Sequence, residues 1–294
     1  MLSYRPGSSR RRTRTATVAG TLGALLALLI GSAGTASAVP SPSGAPAVKE
    51  GQAYMGVGQE IHGAPESSAP SGGILGQTDG VQGIDVSHWQ GSINWNSVRN
   101  AGIDFAWIKA TEGSSYEDSQ FNTNYTNAYN AGVIRGGYHF ARPDVSSGTN
   151  QANFFASNGG AWSADNLTLP GVLDIEHNPY GAMCYGKSTT QMRNWISNFY
   201  NTYKSRTSRD VVIYTTASWW NTCTGNWTGM SSKSPLWVAH WTTASSPTIP
   251  NGFPTWTVWQ YTSTGSVAGV SGNVDRNKFN GNRSRLVALA NNTA

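Results

Sequence analysis

Beyond residue 80 the apolar positions fall into short runs that end in polar residues. They are Val81–Val86, Ile103–Ala110, Val133–Phe140, Gly171–Ile175, Val211–Tyr214, Leu236–Ala239, Trp256–Trp259 and Val270–Asp275. Their length and β-branched or aromatic content predict eight strands. Helical periodicity fills the gaps between the first five: Asn94–Ala101, Phe121–Ala131, Gly148–Ser157 and Thr189–Lys204. In the last of these, Met192, Trp195, Ile196, Phe199 and Tyr203 recur every three or four positions, as the buried stripe of an amphipathic helix requires. After about residue 222 the helical pattern fades into Gly-, Pro- and Ser-rich connections. Strands alternating with helices predict a parallel sheet. Eight strands in one domain predict an α/β, TIM-like closed barrel whose last helices are reduced or missing.

The first 80 residues follow a different pattern. Arg5, Arg10, Arg11, Arg12 and Arg14 precede an apolar stretch from about Val18 to Ile30, which ends in Ala36-Ser37-Ala38. A positive start, a short apolar core and a small-x-small site predict an export signal over residues 1–38. A short membrane anchor is the alternative, but small residues rather than a stop-transfer charge follow the run. Arg11-Arg12 also permits a twin-arginine route. Residues 39–80 are rich in Pro, Gly, Ser and Ala and read as a linker or pro-segment unable to bury a core. The domains are therefore read as signal 1–38, linker or pro-segment 39–80, and a single catalytic barrel 81–294.

Charge acquires meaning only after this division. The formal net charge of the whole chain is +5. The predicted signal carries five Arg and no acid, so the remainder is neutral. A basic chain seeking nucleic acid or a membrane is thereby excluded as a reading. Within the remainder, Lys49 stands against Glu50, Glu60, Glu66 and Asp79, while residues 81–294 hold 14 basic and 11 acidic side chains. An acidic leader could thus lie over a mildly basic domain. An exported chain with two cysteines, Cys184 and Cys223, predicts one disulfide.

Candidate chemistry collects at the predicted strand ends, where barrels of this kind place their sites. The ends carry Asp85 and His88; Lys109 and Glu112; Tyr138 and His139; Asp174 and Glu176; His240 and Trp241; Gln260 and Tyr261; and Asp275. In Leu173-Asp174-Ile175-Glu176, strand alternation puts both acids on one face. Two crowded carboxyls resist joint ionisation, so one keeps its proton near neutral pH. Glycoside cleavage needs that pair: an acid for the leaving oxygen and an anion beside the developing cation. Asp85 and Asp275 lie far apart in sequence but on neighbouring strands of a closed barrel, which would ring four acids around one mouth. A metal site is the competing reading for such a ring. However, zinc spacing such as H-E-x-x-H is absent, and no metal or cofactor is expected. Aromatic faces stack on sugar rings, so Trp89, Tyr138, Trp241 and Tyr261 are candidate substrate contacts, with His139 and Gln260 beside them. Trp107, Trp195 and Trp237 are read as core. The chain has no G-x-S-x-G and no phosphate loop.

Five ordered motifs carry a resemblance that covers about residues 80–294. They are Gly83-Ile84-Asp85-Val86-Ser87-His88-Trp89-Gln90-Gly91, Lys109-Ala110-Thr111-Glu112-Gly113, Gly137-Tyr138-His139-Phe140, Leu173-Asp174-Ile175-Glu176, and Trp259-Gln260-Tyr261 with Val274-Asp275. Together they resemble glycoside hydrolase family 25, the Chalaropsis-type lysozymes. The resemblance implies a (β/α)5β3 barrel. It also implies hydrolysis of the β-1,4 bond between N-acetylmuramic acid and N-acetylglucosamine in peptidoglycan, with retention of configuration. Matched motif by motif, it implies Glu176 as general acid/base, Asp174 as second catalytic carboxylate, Asp85 and Asp275 as supporting acids, and Tyr138 as a substrate contact. The expected protein is a secreted monomer acting on glycan strands, with no nucleic-acid partner and no membrane association once the signal is gone. The competing functions are a non-catalytic peptidoglycan-binding module on the same barrel and a metal-dependent deacetylase.

Overall fold

A computed structural model describes residues 48–62 and 80–293. The export-signal reading of residues 1–38 lies outside the described residues. The chain forms α1 (Val57–His62), then β1 (Val81–Val86), α2 (Trp95–Asn100), β2 (Ile103–Glu112), β3 (Tyr116–Glu117), α3 (Phe121–Asn130), β4 (Ile134–Phe140), α4 (Gly148–Ser157) and β5 (Val172–Asp174). It continues with α5 (Thr189–Thr207), β6 (Val212–Thr216), α6 (Ala217–Thr224), β7 (Leu236–Ala239), β8 (Val258–Gly265), β9 (Val274–Phe279) and α7 (Arg283–Asn291).

Strand order is β1-β9-β8-β7-β6-β5-β4-β2-β3, and β1 also pairs with β2. That last pairing closes eight strands into a barrel, with the two-residue β3 as an appendage on β2. Five strand–helix units followed by three strands make the (β/α)5β3 arrangement. The expectation of a parallel sheet fails at one strand. β9 runs antiparallel to both β8 and β1. It also spans Val274–Phe279 rather than Val270–Asp275. Antiparallel neighbours can be joined without a crossover helix, which suits the short β8–β9 connection.

Alternation along the strands sorts side chains into two layers. Val81, Phe105, Trp107, Ile134, Tyr138, Val172, Val212, Tyr214, Trp237, Val258 and Phe279 fill the barrel interior. Ile84 and their chain neighbours Ala106, Ile108, Leu173, Ile213, Val238 and Trp259 face the helices. Among those helices, α5 shows why its sequence folds locally. Ser188 accepts from Gln191 N while the Gln191 side chain accepts from Ser188 N, a capping box. Met192, Trp195, Ile196, Phe199 and Tyr203 are buried on its inner face.

Three helices escaped the periodicity reading: α1, α6 and α7. α6 consists of Ala-Ser-Trp-Trp-Asn-Thr-Cys-Thr, weak helix formers for the most part. It is held instead by a Thr216 cap on Trp219 N, by burial of Trp219 and Trp220, and by the Cys184–Cys223 disulfide. α7 buries Leu286 and Ala290, one turn apart, against the interior layer.

Residues 48–62 depart most from expectation. They do bury apolar surface: Ala53 and Met55 are inaccessible and Val57 nearly so. Met55 belongs to the interior layer of the barrel.

The disulfide closes a loop of sequence separation 39 between the β5–α5 connection and α6. The paired substitution Cys184→Ala/Cys223→Ala should lower unfolding free energy by about 2–4 kcal/mol, read as a drop in urea midpoint at unchanged slope. A midpoint equal to wild type would show that packing of Trp219 and Trp220 alone fixes α6.

Candidate active site

The four predicted acids converge at one mouth of the barrel. Asp174 ends β5, and extended backbone continues past it, with Ile175 N donating to Tyr214 O at 3.0 Å. Glu176 therefore faces the same side as Asp174, about 6.5–7 Å along the chain at Cα. Asp85 lies near the end of β1. Asp275 stands near the start of β9 rather than at a strand's end. Because β9 is reversed, its start reaches the mouth where the parallel strands end. Asp85 and Asp275 are direct register partners.

All four carboxyls are at least nine-tenths buried. Burial pushes each of them up. Asp85 rises from 3.8 to about 7, against the lowering effect of amide donors from Asn277 and Gln260. Asp174 rises well above its ordinary range through burial, then through Glu176 and Asp85, with Lys109 opposing. Glu176 rises through burial, despite donation from Gly56 N. Asp275 rises through burial and then through Asp85. Loss of solvent is the leading cause in every case.

A polar network fixes Asp85. Gln260 Nε2 donates to Asp85 Oδ2 at 3.0 Å and Asn277 Nδ2 donates to the same oxygen at 2.7 Å. Tyr214 Oη and Trp241 Nε1 both donate to Gln260 Oε1, at 2.8 and 3.0 Å. Trp237 Nε1 donates to Asn277 Oδ1 at 2.9 Å. With each amide oxygen occupied, each amide nitrogen must point at the carboxylate. Asp174 differs. Neither of its carboxyl oxygens finds a hydrogen-bond partner among the described residues.

The structure divides the predicted substrate contacts. Tyr138, Trp241 and Gln260 face the mouth or the interior beneath it. Trp89 stands half-exposed on the 3-10 turn His88–Gln90, directly after β1. His139 and Tyr261 do not reach the cleft. His139 bonds Thr111 Oγ1 and Gln151 Oε1 and packs its ring, tilted, against Phe155 and Phe199, in the layer between sheet and helices. Burial there lowers it to about 4. Tyr261 donates to Gln82 Oε1 on the outer face of β1. The reason is shared: each follows an inward residue, Tyr138 or Gln260, and alternation turns it outward. Trp107, Trp195 and Trp237 are buried as expected.

Several participants carried no sequence signal strong enough to single them out. Asn277 and Tyr214 complete the Asp85 network. Lys109 and Glu112 were noted as strand-end residues, and the structure buries both completely and pairs them at 2.7 Å. Glu112 also accepts from Tyr180 Oη, and Arg142 lies 3.8 Å from the Tyr180 ring centre. Lys109 Nζ further donates to Gly51 O at 3.2 Å and Ala53 O at 2.5 Å. The segment before the barrel thus enters the site itself.

The comparisons agree with the barrel fold. The sequence profile of glycosyl hydrolases family 25 matches residues 84–270. Lysozyme M1 of Streptomyces globisporus is 65% identical over 287 residues, which cover 97% of this chain and 96% of that protein. The N,O-diacetylmuramidase of Arthroderma benhamiae is 42% identical, covering 76% of this chain and 92% of its own length. The crystal structure of a bacterial lysozyme from Streptomyces coelicolor is 75% identical with a TM-score of 0.73, covering 74% of this chain and all of that one. A closed (β/α)5β3 barrel with these acids at its mouth, matched over most of its length by these relatives, belongs to glycosyl hydrolases family 25.

Proposed function

We propose that this protein is a secreted lysozyme that cleaves the β-1,4 bond between N-acetylmuramic acid and N-acetylglucosamine in bacterial peptidoglycan. The observation that carries the reading is the Asp174–Glu176 pair, buried side by side at the mouth with both groups held above their ordinary range. A carboxyl that keeps its proton near neutral pH can give it to a leaving oxygen. A carboxyl without a donor can receive one from substrate. The names of the Streptomyces globisporus and Arthroderma benhamiae relatives point to the same activity. The predicted signal peptide and the disulfide support export.

In this reading Glu176 protonates the glycosidic oxygen as its bond to C1 breaks and the bonding electrons pass to that oxygen. The carbonyl oxygen of the muramic 2-acetamido group closes on C1. Asp174 accepts the acetamido N–H and stabilises the positive charge that spreads over the ring so formed. Its unpartnered oxygens suit that role. Glu176, now ionised, takes a proton from water as the water attacks C1 and reopens the ring. Two inversions at C1 give net retention. Asp85, fixed by Gln260 and Asn277, sets the field under Asp174 and Glu176. Tyr138, Trp241 and Trp89 offer aromatic surface to the sugars.

Glu176→Gln should retain binding to cell walls and lose lytic activity by at least ~10²-fold, the lower range for removal of a general acid. Muropeptide mass spectrometry should show reducing-end muramic acid before the loss. Unchanged turnover in Glu176→Gln would remove Glu176 from the role. NMR of fresh digests should show the β-anomer first; an initial α-anomer would exclude the two-step course.

The buried acids also set a pH dependence of stability. Between 3.8 and about 7 the native protein keeps a proton on Asp85 that the unfolded chain has lost. Stability therefore falls as pH rises through that window. Asp85→Asn removes this contribution. Its urea midpoint should vary less between pH 4 and pH 7 than that of wild type, while lysis declines. Equal slopes for the two proteins would show that Asp85 ionises normally.

A further inference from the structure

Residues 48–62 cross the barrel mouth and touch it at every level. Gly56 N donates to Glu176 Oε1 at 2.7 Å. Met55 is fully buried in the barrel's interior layer. Gln52 O accepts from Trp89 Nε1 at 3.0 Å, and the Tyr54 ring meets Trp89 edge-on. Farther along, His62 bonds Asn178 O at 2.7 Å and stacks on His177. Two carbonyls, of Gly51 and Ala53, satisfy the buried Lys109 ammonium.

Three glycines let this backbone come so close. A Cβ on Gly58 would lie 1.9 Å from His177 O, one on Gly56 2.6 Å from the Trp241 ring, and one on Gly51 2.2 Å from the Tyr116 ring. Gly51 and Gly56 also take φ of 87°, where side chains are strained. A passive spacer has no reason to place glycine against three separate walls of a cleft.

We infer that residues 48–62 are an intramolecular inhibitor that fills the glycan cleft and keeps the chain latent until the segment is removed. The inference rests on the lysozyme reading of the mouth. The occupied positions are those the reading gives to substrate: the acid Glu176 and the aromatic contacts Trp89 and Trp241. The inhibitor has peptide chemistry. It offers Glu176 an N–H instead of a glycosidic oxygen, so the acid has nothing to protonate. Tyr54 donates to Glu60 Oε2 at 2.6 Å, and the Glu60 charge helps hold Glu176 and Asp275 protonated. The crystal structure of the relative from Streptomyces coelicolor is matched over its whole length by 74% of this chain, close to the share made up by residues 80–293.

The test compares three preparations of the chain that starts at Val39, on a small soluble muramic acid–glucosamine oligomer. They are the intact chain, the same chain after limited proteolysis ahead of the barrel, and an uncut chain carrying Gly56→Val and Gly58→Val. Mass spectrometry confirms which preparations retain the segment. Turnover scales with the fraction of open clefts. The intact chain should be at least about tenfold slower than the clipped one, and the glycine variant should recover most of that difference uncut. A synthetic peptide of residues 48–62 should inhibit the clipped protein competitively. An intact chain as fast as the clipped one overturns the inference and leaves the lysozyme reading standing. So does a glycine variant no faster than the intact chain, paired with a peptide that fails to inhibit. If the clipped protein itself does not turn over the oligomer, the lysozyme reading fails and the inference with it.

Discussion

The antiparallel pairing of β1 with β9 is the constraint on which the site depends. Seven strands deliver side chains to the mouth from their C-terminal halves, as parallel strands in a barrel do. The eighth arrives reversed and contributes the start of its sequence instead. This pairing closes the sheet, sets Asp85 opposite Asp275 in register, and brings Asn277 to Asp85. Closure and the overlying residues 48–62 together exclude water from the mouth. Inside the closed mouth, desolvation is the leading cause of every upward shift. The upward shifts therefore belong to the closed barrel together with residues 48–62, which lie over its mouth and add the Glu60 charge beside Glu176 and Asp275.

Burying four carboxyls works against folding, and the frame around them shows what compensates. Trp107, Tyr138, Tyr214 and Trp237 make a broad apolar floor. The polar ends of Tyr214 and Trp237 are spent on orienting Gln260 and Asn277. The same aromatic side chains thus supply burial energy below and direct amide donors above. Asp174 receives no such support among the described residues. A donor built into the protein would stabilise the fold and compete with substrate. Leaving it unmet trades stability for function.

Much of this was legible in the chain. The runs Val81–Val86 and Leu236–Ala239 and the helix Gly148–Ser157 form with the boundaries their patterns predict. The Asp174–Glu176 face follows from alternation alone. The failures have physical causes. Taking Tyr138 with His139, and Gln260 with Tyr261, as joint contacts ignored the rule that put Asp174 and Glu176 together: adjacent strand residues point apart. The direction of β9 left no trace, because a hydrophobic pattern reads the same in either orientation. α6 was hidden because tertiary contacts, a cap and a disulfide hold it, not propensity.

The segment before the barrel exposes a deeper ambiguity. Glycine, alanine and serine mark a linker because such residues have little to bury. The same composition is what a backbone needs to lie flat in a cleft already lined with large rings. Gly51, Gly56 and Gly58 each sit where any side chain would strike the wall. Met55, with the smaller Ala53 and Val57, then supplies the apolar burial of the segment. Composition alone cannot separate a spacer from an occupant of this kind. The distinction appears only when the cleft is present to be filled, since the glycines are required by Tyr116, Trp241 and His177 and not by their own neighbours. A peptide is also an apt occupant for a glycosidase. It meets the acid and the aromatic contacts through hydrogen bonds and apolar surface, yet it has no acetal carbon at which the enzyme could act.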